Sequence, residues 1–366
     1  MSDNASSGDG YEHEMVLEAL PESVVASIEV RDRARRQLAS AGAGLEFIVS
    51  DILAWPPGAT VRVAFLDGDA ELHDAVAGVT EQITDSCNIV LDFGFDSSTG
   101  EYRRWSEDDT VRQAEIRVSF DLDGYFSLVG TDSTDPTIGA PDDTVGGRPG
   151  QRSLNLGGFA SSLPQRWEGT VRHEFLHALS FHHAHQNMRG PCEDQFRWDD
   201  DPGYVPTTND RGVFIPDSSG RRPGIYTYLA GPPNGWSKAT VDHNLRTEDD
   251  PLAVAGPFDS ESVMLYRFAE FFYKAAPSPC APTGDGLNLS EGDRRGLRLL
   301  YPSVESEVSA ITTRSAQALD VLLPARADES SVGGRSPYEQ RVIDLLSGRA
   351  ARHAEILAGQ QAPSGS

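Results

Sequence analysis

Long apolar runs are missing from this 366-residue chain. No stretch approaches the ~18 consecutive apolar residues of a membrane-spanning helix, which sets the membrane aside as a partner. Positive charge is also short: 31 Lys and Arg face 56 Asp and Glu, for a net charge of −25. That balance disfavours nucleic acid and anionic lipid as partners, and its simplest meaning is a solvated acidic surface. Cysteine is scarce. Cys87, Cys192 and Cys280 are too few for a disulfide framework and lack the CxxC spacing of a structural metal site. One bridge, Cys192 to Cys280, stays open, because sequence does not fix distance. The opening residues, Met1 to Met15, have neither the basic start nor the apolar centre of a secretory leader. No internal repeat is visible.

What is present describes an ordinary globular protein, 38% hydrophobic and 24% charged, long enough for one large domain or two lobes. Three regions are expected: a polar and helical segment over 1–50, a central domain over 51–302, and a helical extension with a flexible tail over 303–366. In the first, Met15 to Leu38 is rich in Glu and Arg and reads as a surface helix or an N-terminal arm. Trp55-Pro56-Pro57-Gly58 then breaks the chain. Val61, Val63 and Phe65 alternate with Arg62 and Ala64, the period of a strand with one buried face. Leu72, Val76, Val79 and Ile83 follow at helical spacing. Strands are expected at 89–93, 116–120 and 153–156, with a surface loop over 130–150. Residues 186–260 are dense in Gly, Pro and Asp, but Trp198, Phe214, Tyr226, Tyr228 and Trp236 supply anchors for an ordered irregular lobe. Ser290-Glu291-Gly292-Asp293 is a capping box for a helix ending at Leu300. Further helix is expected after 303, notably over 338–358.

Five of the nine histidines fall within residues 173–185, HEFLHALSFHHAH. His173 and His177 stand four apart, so a helix running from about Pro164 to Leu179 projects both imidazoles from one face. His183 follows ten residues after the first. Two histidines from one helical turn and a third from the returning chain are the ligand set of a catalytic zinc, with a fourth position left for water. Glu174, beside the first ligand, is placed to take a proton from that water.

The segment HEFLHALSFHH resembles the HExxHxxGxxH signature of the metzincin zinc endopeptidases, and His183-Ala184-His185 resembles the HEH of the astacin-like branch. Ser262-Val263-Met264-Leu265-Tyr266 is similar to that branch's Met-turn. The resemblance covers roughly residues 55–302, with Leu289 to Pro302 similar to a closing helix. It implies an α+β fold: a two-lobed catalytic domain with a twisted mixed sheet, helices and an irregular lower lobe, the zinc lying in the cleft. It implies His173, His177 and His183 as zinc ligands, Glu174 as catalytic base, Tyr266 as donor to the oxyanion and Met264 as an apolar floor. It also implies that Ser153, Leu154, Asn155, Leu156 and Gly157 form an edge strand that receives an extended peptide.

Two positions depart from the pattern. Ser180 stands where the family has the glycine that lets the chain turn after the second ligand; a Cβ there costs on the order of 1 kcal/mol. Ala184 stands where a glutamate would latch a freed amino terminus, so that activation device is missing. Neither a cysteine switch nor a supported aspartate switch is visible, Asp51 and Asp69 being bare candidates. The expected function is zinc-dependent endopeptidase acting on protein or peptide, with one catalytic Zn2+. Calcium among Asp199, Asp200 and Asp201 has nothing else behind it, since an acidic loop is ordinarily just solvated. The alternative is a binding protein that keeps a metalloprotease scaffold and has lost turnover. A zinc hydrolase of a non-peptide amide would share the site and differ only in the cleft. The family is largely secreted, which the opening residues do not echo.

Overall fold

The alternation at Val61, Val63 and Phe65 produces the second strand from the sheet's edge. The computed structural model describes residues 19–40, 52–247, 256–322, 339–348 and 351. In it, β1 (Thr60–Phe65), β2 (Val90–Asp92), β3 (Ile116–Ser119), β4 (Tyr125–Ser127) and β5 (Leu154–Leu156) form one sheet in the order β2-β1-β3-β5-β4. Every pairing is parallel except that of β4 with β5. The apolar positions of α2 (Ala70–Thr84), spaced to share one helix face, pack Leu72, Val76, Val79 and Ile83 into the core with Val61, Val63 and Phe65. Asp69 caps that helix by accepting the Leu72 N–H at 2.9 Å, an ordinary task for an aspartate in this position. Asp51 lies outside the described residues.

The sheet order corrects one expectation. β5 is hydrogen-bonded on both sides, to β3 and to β4, and Ser153, Leu154, Asn155 and Leu156 are buried while Gly157 is half-buried. Such a strand has no open row of N–H and C=O groups to offer an extended peptide, so 153–157 is not an edge. The edge belongs to β4. Asn155 serves the interior instead, donating to the Leu122 and Gly124 carbonyls and accepting from the Ser119 hydroxyl.

Two more segments are less superficial than their composition predicts. The fully buried Arg117 donates to the carbonyls of Ser133, Gly146 and Gln151, stapling the 130–150 stretch to the sheet and burying Ile138 and Val145. Helix α1 (Glu22–Ser40) is no solvent arm. Val24 and Ile28 pack on Phe126, Leu128, Ile138 and Val145, and Arg31 forms a buried ion pair with Asp132.

After His183 the chain builds a second, irregular lobe around Phe196, Trp198, Tyr228, Trp236, Phe268 and Phe272, tied by a Cys192–Cys280 disulfide with Cα atoms 5.0 Å apart. Its short helices include α4 (Ile225–Ala230) and α5 (Lys238–Leu245), while α6 (Glu291–Leu300) returns to the first core through Leu297. The acidic run is turned to protein partners: Asp201 binds Arg197 and Arg222, and Asp200 accepts the Gly224 N–H. Helix α7 (Glu305–Leu322) and the helical residues 339–348 pack on Ile52 and Leu53 through Ala318, Leu322, Val342, Ile343 and Leu346. The rest of the helix expected over 338–358, apart from residue 351, lies outside the described residues. The fold is α+β in two lobes. No helix among the described residues is long and apolar enough to cross a membrane.

Candidate metal centre

The helix that carries the motif is α3 (Trp167–Ala178). Val171, Phe175 and Leu176 sink into the core, which turns the stripe bearing His173 and His177 toward the second lobe. Its end is built with care. Ser180 has φ 72°, the left-handed turn that the family glycine would make. The Ser180 N–H meets the His177 carbonyl at 2.8 Å and the Phe181 N–H meets that of Leu176 at 3.0 Å, the two bonds of a Schellman motif. Ser180 also donates its hydroxyl to the Leu53 carbonyl at 2.6 Å. Gly130 (φ +53°) makes that bond feasible, since a Cβ there would run into both Leu53 O and Ser180 Oγ. The last carbonyls of the helix are met by side chains: Trp55 Nε1 donates to Ala178 O at 2.8 Å, and the Tyr301 hydroxyl to Leu179 O at 2.9 Å.

The turn places three imidazoles together. His173, His177 and His183 are buried, with ligand nitrogens within 4.8 Å of one another. His182 is exposed, so the choice between adjacent histidines falls on His183. His173 Nδ1 donates to Val263 O at 2.9 Å and His177 Nδ1 to Phe181 O at 2.6 Å. His183 Nδ1 faces Gln186 Oε1 at 3.1 Å. A nitrogen that donates to an oxygen acceptor carries the ring proton, so each Nε2 is left a lone pair. Those lone pairs converge: His177 Nε2 lies 3.2 Å from His173 Nε2 and 3.2 Å from His183 Nε2. Neutral imidazoles facing lone pair to lone pair repel one another unless a cation lies between them. Zn–N bonds of ~2.05 Å at tetrahedral angles put nitrogens about 3.3 Å apart, so the donor set fits zinc.

Beneath the ligands runs the turn at 262–266. Met264 is buried, its carbonyl accepts the Ala184 N–H at 3.0 Å, and the preceding carbonyl is the one that holds His173. One turn therefore grips both the first ligand and the neighbour of the third. The Tyr266 ring lies 4.4 Å from that of His183 and stacks on that of His173 at 5.8 Å. This is the ligand set and turn that the sequence resemblance to zinc proteases implied.

Sequence reasoning left the supports of this site unassigned. Asp293, the capping-box residue of α6, accepts the Ser262 hydroxyl and the Val263 N–H and so holds the Met-turn. His185 stacks on His183 at 4.9 Å and bonds the Asn244 carbonyl. A capping box and a third histidine were both legible, but their targets, far away in sequence, were not.

Glu174, next to the first ligand on α3, is buried. Tyr125, on the edge strand, lies close enough to it that its phenol is pushed up, first by burial and then by the Glu174 charge. The stretch of α3 that carries Glu174 and the edge β4 are therefore neighbours, as their packing also shows. A cleft opens at His177 and His183, lined also by Gln186, Ser127, Ile28 and Arg35.

The sequence matches no family model and no curated protein. Similar solved structures include one titled as the structure of myroilysin, at 25% identity and TM-score 0.46 over 69% of this chain and 97% of that one. A second, the crystal structure of myroilysin, gives 22% identity and TM-score 0.40 over 68% of this chain and 86% of that one. High choriolytic enzyme 1, a hatching enzyme zinc-protease from Oryzias latipes (medaka fish), gives 15% and 0.37 over 68% and 94%. The ligand geometry, not these likenesses, carries the reading below.

Proposed function

We propose that this protein is a zinc-dependent endopeptidase. The observation that supports it is the convergence of three imidazoles, with His177 Nε2 at 3.2 Å from both His173 Nε2 and His183 Nε2, on a helix that also carries a buried glutamate. A zinc ion held by His173, His177 and His183 would supply Lewis acidity and bring the pKa of a water near 7. Glu174 is the residue placed to take a proton from an attacking water and to pass it to the departing amine. Glu174 shares the helix of His173 and His177 and follows the first of them directly, which supports its role as a base that is not itself a ligand. Tyr266, with its ring against two ligands, directs its phenol at the charge that develops on the carbonyl oxygen. An extended peptide takes the open edge of β4, where Tyr125 lies close to Glu174. Helix α1 lines the cleft at His177, His183 and Ser127, so substrate enters where α1 yields.

The test is Glu174→Gln, which keeps shape and removes the base. Peptide hydrolysis should fall by at least ~100-fold while zinc content and folding persist. Chelation of the parent should abolish cleavage, and added zinc should restore it. Cleavage by the variant at the parent's rate would overturn the mechanism. In parallel, His183→Ala should lose bound zinc and His182→Ala should keep it.

A further inference from the structure

The three ligands are oriented by different kinds of acceptor. Val263 and Phe181 present backbone carbonyls to His173 and His177, which no substitution removes. His183 is met by a side chain, that of Gln186. The orientation of this buried amide is decided by its surroundings. Its nitrogen lies 2.8 Å from the His243 carbonyl and 3.4 Å from that of Arg246. Carbonyls only accept, so the NH2 must face them and Oε1 must face His183. An amide oxygen also only accepts, so His183 must carry its proton on Nδ1 and present Nε2 bare.

The carbonyls that hold Gln186 and His185 are consecutive, those of His243 and Asn244. They belong to the last turn of α5, where carbonyls have no further turn of helix to bond. The chain after the third ligand thus fills the C-terminal end of α5 with two side chains. The third ligand, its tautomer and α5 form one linked unit.

We propose that Gln186 is a positioning residue for the metal centre, fixing His183 in its Nδ1–H form and tying the third ligand to α5. The inference rests on His183 being a ligand, as in the reading above. Partners of this kind on ligating histidines typically account for 10- to 100-fold in metal affinity.

Gln186→Met keeps the length and apolar bulk of the side chain and removes both bonds. Gln186→Glu restores an oxygen facing His183 Nδ1. The readouts are long-range proton–nitrogen NMR of the metal-free protein, which reports each imidazole's tautomer, and zinc affinity by chelator competition. In the parent, His183 should be in the Nδ1–H form. In Gln186→Met it should become a mixture, with His173 and His177 unchanged and zinc affinity 10- to 100-fold lower. Gln186→Glu should recover the Nδ1–H form, but only part of the affinity, since its second oxygen faces the His243 and Arg246 carbonyls that the NH2 had met. If Gln186→Met keeps the tautomer and binds zinc within twofold of the parent, the proposal is overturned. It is equally overturned if Gln186→Glu gives the same tautomer mixture as Gln186→Met, since the oxygen facing Nδ1 would then fix nothing. Should Gln186→Met fail to fold, the tautomer of the parent and the behaviour of Gln186→Glu still decide the matter. A parent that binds no zinc would defeat the endopeptidase reading, while the tautomer measurements would still decide the role of Gln186.

Discussion

Asp293 accepts the hydroxyl of Ser262 at 2.5 Å with one carboxylate oxygen, and with the other the N–H groups of Val263 and Ser290, each at 3.0 Å. The side chain that opens α6 therefore also fixes the turn whose carbonyl orients His173. Asp293→Asn leaves one oxygen for the two N–H groups and turns an NH2 toward the Ser262 hydroxyl, whose own hydrogen then loses its acceptor. It should cost about 1–3 kcal/mol of stability, the range for an unsatisfied buried group, and weaken zinc binding several-fold. Thermal unfolding and chelator competition would show both effects. Glu291→Gln on the same helix, whose partner Arg298 is exposed with it, should change neither by more than about 0.5 kcal/mol.

Ser180 carries two opposing effects. Its left-handed backbone costs about 1 kcal/mol for a residue with a Cβ, and its bond to Leu53 returns about as much. Ser180→Gly relieves the first and loses the second, so stability should stay within about 1 kcal/mol of the parent. Ser180→Ala keeps the strain and loses the bond, and should fall about 1–2 kcal/mol below it. Denaturant unfolding of the pair would settle the point; an alanine variant as stable as the parent would remove the hydroxyl from the account.

Burial pushes the Asp132 carboxyl up from 3.8 to about 6, against the pull of Arg31. A carboxyl raised in the folded state holds a proton that the unfolded chain has released. Its contribution to stability is full below about pH 4 and is lost as pH rises through 6. Asp132→Asn should therefore flatten the fall in stability between pH 4 and 6, by an amount on the order of 2 kcal/mol. Melting temperatures of parent and variant across that range would test it, parallel curves being the contrary result.

Helix α1 forms part of the cleft wall, and Arg31 fastens it to Asp132. Removing residues 1–40 should raise kcat/KM for long peptides by tenfold or more, and less for dipeptide-sized substrates. Ile28→Asp, which loosens the helix without shortening the chain, should act in the same direction. Equal activity of all three forms would mean that α1 leaves the substrate path clear.

The parts of the molecule governed by short-range spacing were open to reading. The four-residue step from His173 to His177 dictates a shared face, and the 72, 76, 79, 83 series dictates the face of α2. The capping box at Ser290 opens α6 where its residues say it should. What escaped was decided by pairing across distance. β4 is three residues long, too short for alternation to show, so β5 was given the edge that β4 holds. Arg31 and Arg35 made α1 look like a surface helix, yet they are buried, because Asp132 awaits the first from a segment 101 residues away. Ser180 looked like a defect at a glycine position. Its cost is small enough for one hydrogen bond to offset, and the acceptor of that bond lies 127 residues back in the chain.

The caps on the ligand helix bear on the order in which the chain assembles. Trp55 and Tyr301, separated by 246 residues, close on adjacent carbonyls at the end of α3. Contacts of such sequence separation form slowly, since the whole intervening loop must first be drawn in. During synthesis all three histidines are present once His183 has been added, yet their helix is finished only when Tyr301 reaches it. On the zinc reading, a firm grip on the ion would therefore belong to the end of folding, and the metal would be a late witness that nearly 250 residues of chain have found their places.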